Sequence, residues 1–90
     1  MLWQGVEETA YGNYTYEITL KADGTGEGSY VDEAGLYPSD LEITEVAVNG
    51  NEVVMTYLSY AMEYTMTFTY EDGKLVTSQG AMWGSLTLEK

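Results

Sequence analysis

Apolar and polar residues alternate along nearly the whole chain. From 62 to 70, Met62, Tyr64, Met66, Phe68 and Tyr70 alternate with Glu63, Thr65, Thr67 and Thr69. A period of two predicts a β-strand with one large, soft face and one short polar face. Residues 14 to 22 repeat the pattern, with Tyr14, Tyr16, Ile18, Leu20 and Ala22 on one side and Thr15, Glu17, Thr19 and Lys21 on the other. Strands are also expected over Leu2 to Ala10, Leu41 to Val48, Glu52 to Tyr60 and Ser85 to Glu89. Within 41 to 48 the phase slips, because Leu41 and Ile43 are odd while Val46 and Val48 are even. One extra residue near Thr44-Glu45, a β-bulge, accounts for the slip. Residues 53 to 60 (VVMTYLSY) are apolar on both faces, as in a covered strand.

Turn residues join these strands. Ala22-Asp23-Gly24 suits a three-residue hairpin loop with glycine in the left-handed position. It sets Leu20 opposite Gly26, Ile18 opposite Gly28 and Tyr16 opposite Tyr30. Glu71-Asp72-Gly73 suggests the same loop. It would set Phe68 opposite Val76, Met66 opposite Ser78, Tyr64 opposite Gly80 and Met62 opposite Met82, with Thr67 meeting Thr77 and Thr65 meeting Gln79 outside. The two hairpins lie about 50 residues apart, which hints at an internal duplication. Asn49-Gly50 is a hairpin-turn dipeptide. The join from Ser59 to Met62 has neither glycine nor proline. Residues 34 to 40 (AGLYPSD) read as a genuine loop, a lid or portal, with room for one helical turn in 36 to 41.

About eight short strands with short connections predict an all-β fold: a small antiparallel up-and-down barrel, whose closure removes the sheet edges. A curved open sheet or a β-sandwich is the alternative. Ninety residues make one domain, 1–90. At eight strands a barrel holds packed side chains or one small ligand. If Tyr14, Tyr16, Met62, Tyr64, Met66, Phe68 and Met82 face inward, they form either a filled core or an adaptable ligand-binding lining.

Composition narrows the chemistry. There is no histidine and no cysteine, which excludes Ser-His-Asp and Cys-His nucleophiles and His/Cys zinc sites. The adjacent acids Glu7-Glu8, Asp32-Glu33 and Glu71-Asp72 point to opposite faces of a strand, so the expectation is solvated surface carboxylates and no catalytic residue. Calcium ligands could come from Asp23, Glu27, Asp32, Glu33 or Asp40, but ADGTGEG lacks EF-hand spacing, and no metal or cofactor is expected. Gly24, Gly26 and Gly28 lie in a hairpin and lack the spacing of a dinucleotide loop.

The net charge is −12, with Lys21, Lys74 and Lys90 the only basic side chains. Phosphate recognition draws on clustered Lys and Arg, so nucleic acid is not an expected partner. No run of apolar residues reaches the roughly 18 of a membrane span. The acidity reads as solubility through self-repulsion, or as attraction for a cation or a basic protein partner. Trp83, Tyr37 and Tyr57 are candidates for exposed aromatics that stack on sugars or dock a partner.

Three stretches carry a family resemblance: Trp3-Gln4-Gly5 at the first strand, YEITLKADGTGEGSY over 16 to 30 and YEDGKLVTSQGAMWGSLTLEK over 70 to 90. Together they resemble the calycin group, in particular the compact lipocalin-like domains of bacterial secreted proteins and lipoproteins. The closing strands are similar in outline to those of fatty-acid-binding proteins. The resemblance implies a non-enzymatic, monomeric, secreted or cell-surface barrel with at most a small hydrophobic ligand inside. The start, MLWQGVEE, lacks the basic region and apolar run of a signal peptide, so a signal segment is expected outside this chain. A structural or protein-interaction module with a filled core is the competing expectation.

Overall fold

A computed structural model describes residues 1–90. The chain forms eight antiparallel strands: β1 (Leu2–Thr9), β2 (Gly12–Leu20), β3 (Gly26–Asp32), β4 (Ser39–Asn49), β5 (Glu52–Ser59), β6 (Met62–Glu71), β7 (Lys74–Thr77) and β8 (Ser85–Glu89). Each pairs with the next, and β8 pairs with β1 to close an up-and-down barrel. This is the all-β barrel that the alternation predicts.

Most joins follow from local chemistry. The first hairpin has the expected register, with Leu20 opposite Gly26, Ile18 opposite Gly28 and Tyr16 opposite Tyr30. Asp23 holds its turn by accepting bonds from the N–H and hydroxyl of Thr25. The bulge falls between Ile43 and Glu45. The turn after β4 comes one residue later than the Asn49-Gly50 reading: Asn49 pairs with Glu52, and Gly50 and Asn51 form the loop.

The second hairpin differs from expectation. Asp72 and Gly73 both take positive φ, 52° and 78°, which makes a two-residue loop. Glu71 pairs with Lys74, Tyr70 with Leu75 and Thr69 with Val76. The expected pairs from Phe68–Val76 to Met62–Met82 therefore do not form, and neither do Thr67–Thr77 and Thr65–Gln79. The two hairpins share a sequence pattern but not a loop, so the duplication has no structural counterpart at the turns. β7 stops at Thr77, so Met62 to Phe68 have ladder partners only on the β5 side.

The helical turn expected in 36 to 41 is absent. The Asp32 carboxylate takes the N–H groups of Leu36 and Tyr37, its carbonyl takes that of Gly35, and Ser39 already begins β4. These bonds give the loop's N–H groups partners other than a helical ladder.

Antiparallel order gives the barrel two unlike ends. One carries both termini and the short turns at 21–25, 50–51 and 72–73. The other carries the turns at 10–11 and 60–61 and the longer loops at 33–38 and 78–84. These are called the tight end and the open end. The middle and the tight half are full. Tyr16, Ile18, Ile43, Met55, Met66, Phe68, Leu86 and Leu88 are at most 1% exposed. Trp3, Val53 and Leu75 complete the apolar packing. Such a core leaves no through-channel for a ligand.

Closure depends on Gly5. A Cβ there would lie 1.8 Å from the Thr87 carbonyl oxygen, and that oxygen belongs to the β8 backbone opposite. Relief would require the β1–β8 ladder to move apart. Gly5→Ala should cost about 3 kcal/mol, read as a lower urea midpoint with early hydrogen exchange at the β1–β8 seam.

Candidate functional site

One acid of the opening strand does not reach solvent. The phase that buries Trp3 carries Glu7 to the same face, and its side chain is 0% exposed. Sequence reading places Glu7 on the surface; the structure corrects this, because Trp3, Gly5 and Glu7 alternate inward. Tyr16 donates its hydroxyl hydrogen to Glu7 Oε1. The backbone N–H of Met82 donates to Oε2 at 3.1 Å and Oε1 at 3.3 Å, and that of Gly84 donates to Oε2 at 2.6 Å. Ala81 N–H donates to the Tyr16 hydroxyl oxygen at 3.1 Å. Every partner of Glu7 donates, the pattern suited to a carboxylate, which only accepts. No cation is among these partners; oriented N–H dipoles offset the desolvation of the charge.

The 78–84 loop is shaped around that carboxylate. Gly80 N–H bonds to Gly84 O, and Trp83 N–H to Gly80 O, both at 2.9 Å. The N–H groups from 80 to 84 thus all have partners. A Cβ on Gly80 would lie 2.7 Å from Glu7 Cδ, so the loop backbone lies directly against the carboxyl group. No buried side-chain nitrogen or oxygen lacks a partner.

Above this layer, at the open end, the barrel ends in a cup of about 410 Å³. It lies between the start of β6, unpaired on that side, and the 78–84 loop. Five aromatic rings line it: Tyr30, Tyr57, Tyr60, Tyr64 and Trp83, with Ser59, Thr65, Gln79, Gly80 and Ala81 between them. Tyr57 and Tyr64 stack at 5.6 Å between ring centres and 28° between planes. Below them Tyr16 and Tyr30 stack at 5.0 Å, and Tyr14 meets Tyr30 edge-on at 6.1 Å.

Two rim residues have unusual backbones. Tyr60 has φ 53° and Trp83 φ 62°, and Ala61, beside Tyr60, has φ 64°. Bulky side chains avoid this region, which costs each residue about 1–2 kcal/mol. The turn without glycine, at Ser59 to Met62, is therefore a two-residue turn with both central residues left-handed.

A larger hollow of about 1240 Å³ lies on the outer wall, over β2 to β4 and the β5–β6 turn. Its side chains include Glu17, Glu27, Asp40 and Glu42, which point away from the barrel interior. It is a wide, open trough on an acidic face. No group of three or more His, Cys, Asp or Glu side chains converges as a metal site.

Of the lining residues expected from sequence, only Tyr64 reaches the cup. Tyr16, Met66 and Phe68 are sealed core, and Tyr14 is half-buried beside Tyr30. Met62 and Met82 are exposed outside the lining. Met82 contributes its backbone N–H to Glu7 instead. Tyr57, expected among the exposed aromatics, is 4% exposed and faces inward, because it shares the inward phase of Val53 and Met55 and its ring stacks on Tyr64. Trp83 and Tyr37 are exposed as expected. Comparison with known proteins gives no match, whether to a family model, a curated protein or a solved structure.

Glu7→Gln would turn an NH₂ group toward N–H donors. It should cost about 2–3 kcal/mol and speed amide exchange at Met82 and Gly84, measured by NMR against the unchanged tight end.

Alkaline pH offers a second check. Burial first, then the bond to Glu7, pushes the Tyr16 hydroxyl up. Burial, with Tyr30 and Tyr64 nearby, pushes Tyr57 up to about 12. An unfolded tyrosine titrates near about 10. Below that pH both states hold their protons and this contribution to stability is complete. Above it the unfolded chain loses protons that the folded chain keeps, so stability falls from about 10 upward, through about 12 for Tyr57. Tyrosinate absorbance should show part of the tyrosines ionising only together with unfolding.

Proposed function

We propose that this chain is a non-enzymatic, lipocalin-like binding barrel that takes a small, largely apolar ligand in its open-end cup. The observation that carries this reading is the placement of strained aromatic side chains. Tyr60 and Trp83, two of the four non-glycine residues with positive φ, line one cavity. Both are more than 80% exposed, so burial of their own rings does little to offset the backbone cost. Strain that packing does not explain gathers at functional positions. The cup volume lies within the range of small-molecule sites.

The buried Glu7–Tyr16 pair supports a binding role over a reactive one, since neither side chain is accessible to a substrate. The eight-stranded up-and-down architecture is that of lipocalins, but one barrel hosts many functions, so the weight rests on the cup. The secreted or cell-surface setting rests on the family resemblance alone.

A second reading has its own observation. Met62 to Phe68 of β6 present an edge with no ladder partner, and such an edge can accept an added strand from a protein partner.

Proton NMR with a panel of small aromatic and aliphatic amphipaths tests the first reading. Shifts are expected at Tyr57, Tyr64 and Trp83, and not at Met66 or Phe68. Tyr60→Asn and Trp83→Asn should weaken binding while raising stability by up to about 1 kcal/mol each, since asparagine tolerates the left-handed backbone. Shifts confined to the β6 amides would favour strand addition, and no shifts at the cup would overturn the cup reading.

A further inference from the structure

The positive charges of this chain sit at one end. Lys21 follows β2, Lys74 opens β7 and Lys90 follows β8, all at the tight end. They are joined there by the N-terminal ammonium, which donates to Leu20 O at 2.6 Å. Lys74 pairs with Glu89 at 2.9 Å, and the Lys90 ammonium lies 5.4 Å from the centre of the Trp3 ring. None lines the cup. The open end therefore has no basic side chain, while the chain as a whole carries −12.

Five of the ten residues that line the cup are aromatic. An aromatic ring is negative over its face, and a cation within about 6 Å of several such faces is attracted to each. Tyr57 and Tyr64 form a stacked pair on one wall, and Tyr60 and Trp83 are held at the rim by strained backbone. The remaining polar groups, Ser59, Thr65 and Gln79, carry oxygens that can accept or face a positive charge. Beneath the Gly80 backbone, part of the cup wall, lies the Glu7 carboxyl group, with Cδ only 2.7 Å from a Cβ position on Gly80. Glu7 is itself fully buried, and one layer of backbone separates its charge from the cavity, so the field on that side is screened less than in bulk water. Burial first, with Glu7 a lesser contributor, pushes the Tyr30 and Tyr57 hydroxyls up.

We propose that the cup binds a small methylated organic cation, a tetraalkylammonium-type group carrying no anionic substituent, enclosed by the tyrosine and tryptophan rings. The proposal rests on the cup being a ligand site and names the class of ligand. Methyl groups meet the apolar ring faces while the charge meets the ring electrons and the Glu7 field. A phosphate or carboxylate on the same ligand would find no Lys or Arg at this end to receive it. That separates a free organic cation from a zwitterionic lipid headgroup, which shares the trimethylammonium chemistry.

The test uses the intact 90-residue chain. Tetramethylammonium and choline are titrated beside the neutral carbon isostere of choline and beside phosphocholine at constant ionic strength. Trp83 fluorescence and tyrosine ring shifts report binding. The expected result is choline bound about tenfold more tightly than its isostere, with phosphocholine weaker than choline and shifts at Tyr57, Tyr64 and Trp83. Tyr64→Leu keeps an apolar wall but removes a ring face. It should lower the choline affinity severalfold and that of the isostere by less, so that the ratio between the two falls. Tyr64 is 47% exposed, so this variant is expected to fold, and the neutral probe serves as its control. Equal binding of choline and isostere at the cup would overturn the cation proposal and leave the binding site standing. Choline shifts confined to the outer acidic trough would overturn it as general charge attraction. Failure of every probe at the cup, including the amphipath panel, would remove both readings.

Discussion

The bond set around Glu7 governs how this barrel is finished. A carboxylate enclosed without a counter-cation is costly unless donors surround it. Here the donors are the Tyr16 hydroxyl and the N–H groups of Met82 and Gly84. The same contacts give an irregular seven-residue loop, 78–84, a fixed shape although no strand partners it. The dependence runs both ways: the acid is tolerated because the loop wraps it, and the loop is ordered because the acid is there. Gly80 permits the approach, since any Cβ would enter the carboxyl group. Loop order in turn places Trp83 at the cup.

Much of the fold is legible from period and turn chemistry. Strand count, the β4 bulge and the first hairpin's register follow from alternation, a phase slip and Asp23-Gly24. The second hairpin misleads because Asp-Gly fits both a two-residue and a three-residue loop, and the choice depends on whether Asp72 adopts positive φ. That one-residue difference shifts the expected register, and because β7 ends at Thr77, Met62 to Phe68 have no ladder partner on that side. The site is less legible for the same reason. Tyr64 is found from its face, but Tyr57 sits in a strand apolar on both sides, where alternation does not say which face is inner. Glu7 shares the Trp3 and Gly5 phase, a signal present in the sequence but outweighed by the usual exposure of glutamate. Nothing local in the sequence marks Trp83 as left-handed.

The two ends divide the physical tasks. The tight end has short turns, apolar packing through Phe68, Leu75 and Leu88, and every positive charge of the chain. The open end has the longer loops, polar burial and aromatic side chains in costly backbone conformations. The apolar core fills the middle and the tight half, and the strained aromatic residues Tyr60 and Trp83 sit away from it. That arrangement agrees with the general pattern in which binding groups are placed on loops supported by a rigid scaffold.

The large face of β6 joins these tasks within one strand. Phe68 and Met66 are completely covered, and two residues earlier Tyr64 opens into the cup. Its alternating pattern is unbroken across that change, so the difference between core and lining does not arise from residue type. It arises from position along the barrel. Met66 and Phe68 lie in the filled middle. Tyr64 lies one step nearer the open end, where it stacks on Tyr57 and lines the cup. The loop that the buried acid of the first strand holds in place forms the facing wall of that cup, through Gln79, Gly80, Ala81 and Trp83.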